Sequence, residues 1–412
     1  MVGEKDAIAF LQNRTKFGIK LGLENIAHLA KEIGNPHLTY QIIHVAGTNG
    51  KGSTSSYISA ILQQHGLKVG LYTSPHLVYL NERIRINGQS IPNNEFLFHL
   101  SRITDKVSEL QSTFFDVLTA IAFDYFSHQK IDVAVIETGM GGRFDSTNIV
   151  NPMASVITSI GMDHEKYLGD TIEKIAYEKA GIIKPEKPVF IGQLNEAALK
   201  VIQNCASDLN SRIIQSGNNT PNYLEHNQKI AVDVSEYVLE LLGIKPDQKK
   251  VENAVSEMPE ISGLRGRFDE ITIHEKKLVL DAAHNPDGAE SLVKAYQSKY
   301  HTKPLIVFGA VADKNYGDML HHLRKLSDEI YLTLPTLHRG NSLENLIDSA
   351  TNLNYHFTTF ETVKESTQAA IEQPDFERIV FCGSIYLLGE VYSELFTHFM
   401  TVDMPQGLTI NQ

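Results

Sequence analysis

The chain has 412 residues, 42% hydrophobic and 21% charged, a balance that excludes a disordered or fibrous protein and is long enough for more than one core. Its 37 basic and 49 acidic residues leave a net charge of −12, which argues against a nucleic-acid or membrane-surface binder; an anionic substrate would need a local cationic pocket. Cys205 and Cys382 are the only cysteines, too few and too far apart for a disulfide framework or a zinc site. The N-terminus, MVGEKDAIAFL, has neither signal-peptide nor transit-peptide character, and no apolar run reaches the roughly 18 residues of a membrane span, so a cytoplasmic protein is expected.

Short β-branched runs then alternate with amphipathic ones. QIIHVA (41–46), KVGLYT (68–73), DVAVIET (132–138), ASVITSI (154–160) and PVFIG (188–192) read as buried parallel strands. Between them, STSSYISAILQQHG and FDVLTAIAFDYFSHQ carry helical spacing, and the alternation predicts an α/β doubly wound, mostly parallel sheet. From about 194 to 258 the pattern is mostly helical, around a polar loop at 216–228. MPEISGLRGRF (258–268), with a proline and two glycines, reads as a connection between domains. LVLDAA, PLIVFGAVA, EIYLTL and RIVFCGS then predict a smaller, Rossmann-like α/β domain. The expected domains are 1–258 and 268–412, joined by a linker at 259–267.

The strand at 41–46 runs into AGTNGKGS. The common phosphate-loop pattern places Ser or Thr directly after Lys; here Gly52 intervenes and the hydroxyl arrives at Ser53. A strand before, a helix after, and Gly47, Gly50 and Gly52 between them still suit an anion held by backbone N–H groups, with Lys51 as a mobile charge. A tight turn with a surface lysine is the plain alternative. TSPHLVYLNERIRING (73–88) offers the Ser74 hydroxyl, Arg83 and Arg85, although a solvated loop leading to a hairpin with Asn87-Gly88 at its tip explains the same residues. In VIETGMGGRFDSTN (135–148), Glu137 ends a hydrophobic strand, where a carboxylate is costly unless paired or metal-bound, and a hard ion such as Mg²⁺ fits it. His164 follows a further strand and Lys179 falls in the last turn of a helix that Asp170 is expected to cap; a structural histidine and a dipole-compensating lysine are the ordinary explanations. In LDAAHNPDG, Asp281 and His284 sit at a strand end, with Arg267 upstream in GRF.

Together these blocks resemble the Mur ligase superfamily, and within it the folylpolyglutamate and dihydrofolate synthases. HVAGTNGKGSTSSY, TSPHL with NERI, TFFDVLTAIAF, ETGMGGRFDSTN, GMDHEKYLGDTIEKIAYEKAGI, GRF, DAAHNP, ADKNY and GSIYLLGEV carry the resemblance in order along nearly the whole chain. It implies an ATP-dependent, Mg²⁺-dependent ligase that joins L-glutamate to dihydropteroate or a reduced folate through an acyl phosphate, with a first domain for ATP and a second for glutamate. It makes Gly47, Thr48, Asn49, Gly50, Lys51, Gly52, Ser53 and Thr54 the nucleotide loop. It implies Ser53 and Ser74 with Glu137 around one Mg²⁺, and Glu137, His164 and a carbamylated Lys179 around a second. Arg267 would contact phosphates, Asp281 the ribose and His284 phosphate or glutamate; Lys51, Lys179, His164 and Arg267 would carry catalysis. Arg83, Asp145 and Asn148 would lie by the pteroate or folate, and Ser384 by glutamate.

The resemblance also implies a monomer without nucleic-acid or membrane partners. The family's HQxxN motif, whose Asn contacts adenine, corresponds to HNQKIA, with Ile230 expected at the Asn position. A diverged paralogue that binds nucleotide or folate with little turnover is the alternative of another class. A cell-wall Mur ligase would need a further N-terminal domain, for which the forty residues before the loop leave no room.

Overall fold

The computed structural model describes residues 3–16, 18, 20, 22–217, 220–312, 314–337, 341–399 and 407–409. The chain divides into two compact units. One comprises the described residues through Thr220, Leu224–Leu264 and 407–409; the other comprises Pro221–Tyr223 and the described residues from Arg265 through 399.

The first unit is built on eight strands: β1 Gln41–Ala46, β2 Val69–Tyr72, β3 Ile84–Ile86, β4 Gln89–Ser90, β5 Val133–Glu137, β6 Ala154–Ile157, β7 Val189–Ile191 and β8 Ile213–Gln215. They lie in the order β4-β3-β2-β5-β1-β6-β7-β8. The six strands from β2 to β8 pair in parallel, and β3 and β4 add antiparallel to the β2 edge. Because side chains alternate across a strand, Ile42, Tyr72, Ile84, Ala134 and Ile136 face the helix Phe114–His128, while Ile43, Val45, Leu71, Val135 and Val156 face the helices Lys51–Gln64 and Tyr223–Leu241. Each fully buried large side chain contributes roughly 1.5–3 kcal/mol, and both faces are covered, as a parallel sheet requires.

The helix 114–128 starts where a capping box forms: Thr113 accepts from Asp116 N, and the Asp116 carboxylate accepts from Thr113 N. Asn87 and Gly88 turn the β3–β4 hairpin at φ 48° and 77°, as their sequence predicts. Asp170 does not cap the next helix as expected. Thr171 does, accepting from Lys174 N, while the Asp170 carboxylate pairs with Lys174 Nζ at 2.7 Å.

The second unit has six strands: β9 Asp269–Ile273, β10 Lys276–Leu280, β11 Leu305–Phe308, β12 Glu329–Leu332, β13 His356–Thr359 and β14 Arg378–Cys382, in the order β13-β12-β11-β14-β10-β9. Only β9 runs antiparallel. β8, β9 and β13 are absent from the sequence-based strands. β13 is a largely exposed edge strand, and β9, also at an edge, buries only Asp269 and Ile273, so both lack the apolar runs by which buried strands announce themselves. The segment 258–262, expected as linker, closes as a short helix ending on Gly263 at φ 73°. Among the described residues no helix is long and apolar enough to cross a membrane.

Candidate active site

Four strand ends of the first sheet, β1, β2, β5 and β6, carry the loops that hold the predicted residues of this unit. Open parallel sheets place ligands at these ends. The loop after β1 needs its glycines. Gly47 has φ 156°, and a Cβ there would sit 1.9 Å from Thr158 Oγ1; at Gly50, φ is 85° and a Cβ would meet Asn227 Oδ1 at 2.4 Å. The loop is braced from the turn after β6. Thr48 N donates to Ser159 O at 2.9 Å, Asn49 N to Ser159 Oγ at 2.9 Å, and Thr158 Oγ1 to Asn49 O at 2.7 Å. Thr48 Oγ1 also accepts from Gly161 N at 3.0 Å. The helix Lys51–Gln64 then begins with Ser53 and Thr54 buried in its first turn, so its N-terminal N–H groups form an anion-binding end.

Two lysine amines address this loop. Lys51 Nζ donates to the carbonyls of Gly47 at 3.0 Å and Thr48 at 3.2 Å, and Lys179 Nζ donates to Gly47 O at 2.8 Å. Lys179 is 3% exposed. It lies in the last turn of the helix Ile172–Ala180, but its side chain turns inward, which removes simple dipole compensation as its explanation. Burial, with Lys51 beside it, lowers its pKa to about 7, against smaller opposing effects of Asp163 and Asp145.

Glu137 closes β5 and is 2% exposed. Its Oε2 accepts from Ser74 N at 3.0 Å, and a Cβ on Gly52 would lie 3.5 Å from the same oxygen. Gly52, the residue that displaces the usual hydroxyl, is therefore where the helix start meets a carboxylate. The loop after β2 enters through the cis Ser74–Pro75 bond and is tied by the Glu82 carboxylate, which accepts from Leu77 N, Val78 N and Tyr79 N. Arg83 is buried, donates from Nε to His76 Nδ1 at 2.9 Å and lies over the Phe114 ring.

The loop after β5 is held by its own groups. Asp145 Oδ2 accepts from Met140 N at 2.9 Å, and Oδ1 accepts from Thr147 N at 3.0 Å and Thr147 Oγ1 at 2.5 Å. Asn148 Nδ2 donates to Arg143 O and Gly181 O, each at 3.0 Å. His164 is exposed at φ 53°, with Asp163 at 3.8 Å.

In the second unit, Asp281 stands at the end of β10. Its carboxylate accepts from Tyr223 Oη at 2.7 Å, Phe268 N at 2.8 Å and Ala283 N at 2.9 Å, and burial raises its pKa. Arg267 is half-buried nearby and opposes that shift by its charge. His284 Nδ1 donates to Ala282 O at 2.9 Å. Ser384, 1% exposed, caps the helix Ile385–His398 by accepting from Leu387 N at 3.1 Å.

Residues 45–259 match the Mur ligase middle domain, and residues 266–385 the Mur ligase glutamate ligase domain. The chain belongs to the Mur ligase family. It is 32% identical to a dihydrofolate synthase/folylpolyglutamate synthase of Bacillus subtilis, covering 95% of this chain and 99% of the relative, and 30% identical to that of Escherichia coli, covering 93% of each. Among solved structures, E. coli FolC in complex with DHPP and ADP superposes with a TM-score of 0.84 at 28% identity, over 95% of this chain and 97% of the other. Mycobacterium tuberculosis folylpolyglutamate synthase complexed with ADP gives 0.83 at 25% identity, over 95% and 98%.

Against this family frame, the Asn beside the phosphate loop is Asn227, not position 230. Ile230 is fully buried in the apolar core, whereas Asn227, 3% exposed, lies against Gly50, and its Nδ2 has no hydrogen-bond partner among the described residues. The helical period shows it. Ile230, Val234 and Val238 form the core stripe of helix 223–241, and Asn227, three residues before Ile230, is a polar residue on that buried face, as is Ser235. The sequence reading also passed over Thr158, Ser159 and Tyr223, which no local motif marks.

Proposed function

We propose that this chain is an ATP-dependent acid–amino-acid ligase that adds L-glutamate to dihydropteroate, to a reduced folate, or to both. The convergence of Lys51, Lys179 and a helix N-terminus at Gly47, with Glu137 beside Gly52, carries the reading. It is a built phosphate site that also holds a carboxylate. Its similarity to ADP-bound relatives supports ATP as the nucleotide.

In the reaction, a carboxylate oxygen of the acceptor attacks the γ-phosphorus and ADP leaves. The glutamate amine then attacks the acyl carbon, phosphate departs and the amine gives up a proton. Catalysis of this kind rests on position and on neutralising charge. The loop from Gly47 to Thr54 holds the phosphates, with Lys51 moving from the loop carbonyls to the β- and γ-phosphates and Arg267 adding charge. Asn227, with its free amide donor, is the residue for adenine, and Asp281 for the ribose. His284 and Ser384 serve the glutamate end, while Arg83, Asp145 and Asn148 frame the pterin-bearing substrate.

The donor set fits magnesium. Glu137, Ser53 and Ser74 offer hard oxygen ligands, the kind magnesium takes alongside phosphates and waters. Magnesium bound there would neutralise phosphate charge. A second ion would use Glu137, His164 and Lys179. An amine with a pKa of about 7 is substantially unprotonated at neutral pH and can add to CO₂, forming an N–C bond and releasing one proton, so Lys179 becomes an anionic carbamate.

Phosphate release measured with ATP, Mg²⁺ and L-glutamate, offering dihydropteroate and tetrahydrofolate separately, tests the reading. Glutamate-dependent release with either supports it. Tight ATP binding with no release from both would make the chain a binding protein instead.

A further inference from the structure

We propose that His44 is a positioning residue for the acceptor substrate, acting through Thr147 to fix the Asp145 loop. This rests on the ligase reading. His44 lies on β1, three residues before Gly47, and is fully buried, as is Thr147. Its Nε2 is 2.8 Å from Thr147 Oγ1. That hydroxyl has one proton and directs it to Asp145 Oδ1 at 2.5 Å. Asp145 Oδ1 already accepts from Thr147 N, so it acts as an acceptor, and Thr147 Oγ1 must accept in turn from His44. The tautomer follows: Nε2 carries the hydrogen and Nδ1 is bare. Consistently, Nδ1 is a buried atom with no partner among the described residues. Burial, helped by the charge of Lys184, lowers the His44 pKa to about 3, so the ring stays neutral across the working range.

The consequence is a rigid link between two loops. β1 delivers the phosphate loop, and the same strand, through one imidazole, holds the Thr147–Asp145 pair whose carboxylate ties Met140 N and Thr147 N. Oδ1 of Asp145 takes both Thr147 donors and Oδ2 takes Met140 N, so the carboxylate shapes the loop and His44 sets where that shape stands relative to the phosphates. An aliphatic residue at position 44 would pack equally well in the core. It would leave the Thr147 acceptor without its donor, which is the penalty that makes buried polar networks specific.

The test compares His44→Leu, His44→Gln and Thr147→Val with the wild-type enzyme in the ligation assay. His44→Leu and Thr147→Val should each raise the acceptor KM about tenfold while the ATP KM moves little, and together they should be no worse than either alone. His44→Gln, which keeps a donor amide, should restore most of the acceptor KM. A purely structural role would lower Tm and the active fraction and leave the acceptor KM unchanged; that result overturns the proposal. Nitrogen NMR of wild-type protein labelled in histidine gives a readout without turnover. Protonated Nε2 with bare Nδ1 is expected, and protonated Nδ1 overturns it. Absence of ligation by the wild type, with the expected tautomer present, would instead count against the ligase reading.

Discussion

Two strand-to-helix turns do similar local work in the two units and differ in how their polar groups are employed. After β10, Asp281 accepts from three donors and Asn285 caps the following helix by accepting from Gly288 N at 2.7 Å. That turn is a satisfied frame. After β1, two lysine amines share one loop carbonyl, and Asn227 Nδ2 and Thr54 Oγ1 lack partners among the described residues. The cost shows in the lowered pKa of Lys179. Burying charge and donors without full compensation is unfavourable, and such groups gather where a ligand of opposite character completes them. On the proposed reading the first turn recognises an anion, while the second has its polar groups met by its own frame.

The contrast predicts effects of decreasing size. Glu137→Ala should reduce turnover by about 10³-fold or more, because it removes the buried carboxylate beside Gly52 of that loop; unchanged rates with circular dichroism showing an intact fold would remove Glu137 from the site. Lys179→Ala should lose about 10²-fold and recover partly with short carboxylates, whereas full activity would argue against a carbamate.

The same lysine has a signature in stability. Its folded pKa of about 7 lies below its ordinary 10.5, so between those values the unfolded chain holds a proton that the folded chain lacks. Stability must then rise with pH from about 7 to 10.5. In carbonate-free buffer, denaturant unfolding of the wild type should show this rise relative to Lys179→Met; a parallel pH dependence would mean that Lys179 is not buried neutral. Least affected should be Tyr223→Phe, which deletes one of three donors to Asp281 and should raise the ATP KM by tenfold or less, about 1 kcal/mol. An equal fall in kcat would break the view of Asp281 as a passive frame.

Much of this was legible beforehand. The five parallel strands read from the first half, the glycine loop, Glu137 at a strand end and the second α/β layer all follow from apolar period and turn chemistry, which are local. What failed was equally physical. Edge strand β13 buries too little to leave a pattern, the five residues of β9 are too short a run to mark themselves, and only the helical stripe distinguishes the buried Ile230 from Asn227 beside the glycine loop.

The sequence by itself determined the strands with strong apolar runs and which motifs sit at their ends, because alternation and glycine conformations act over a few residues. Tertiary structure alone decided that Lys179 turns inward to the Gly47 carbonyl, that Asn227 meets Gly50, and that His44 reaches Thr147 across 103 positions. Those contacts depend on which strands become neighbours, and burial, which sets their charge states and their cost, exists only once the sheet is assembled.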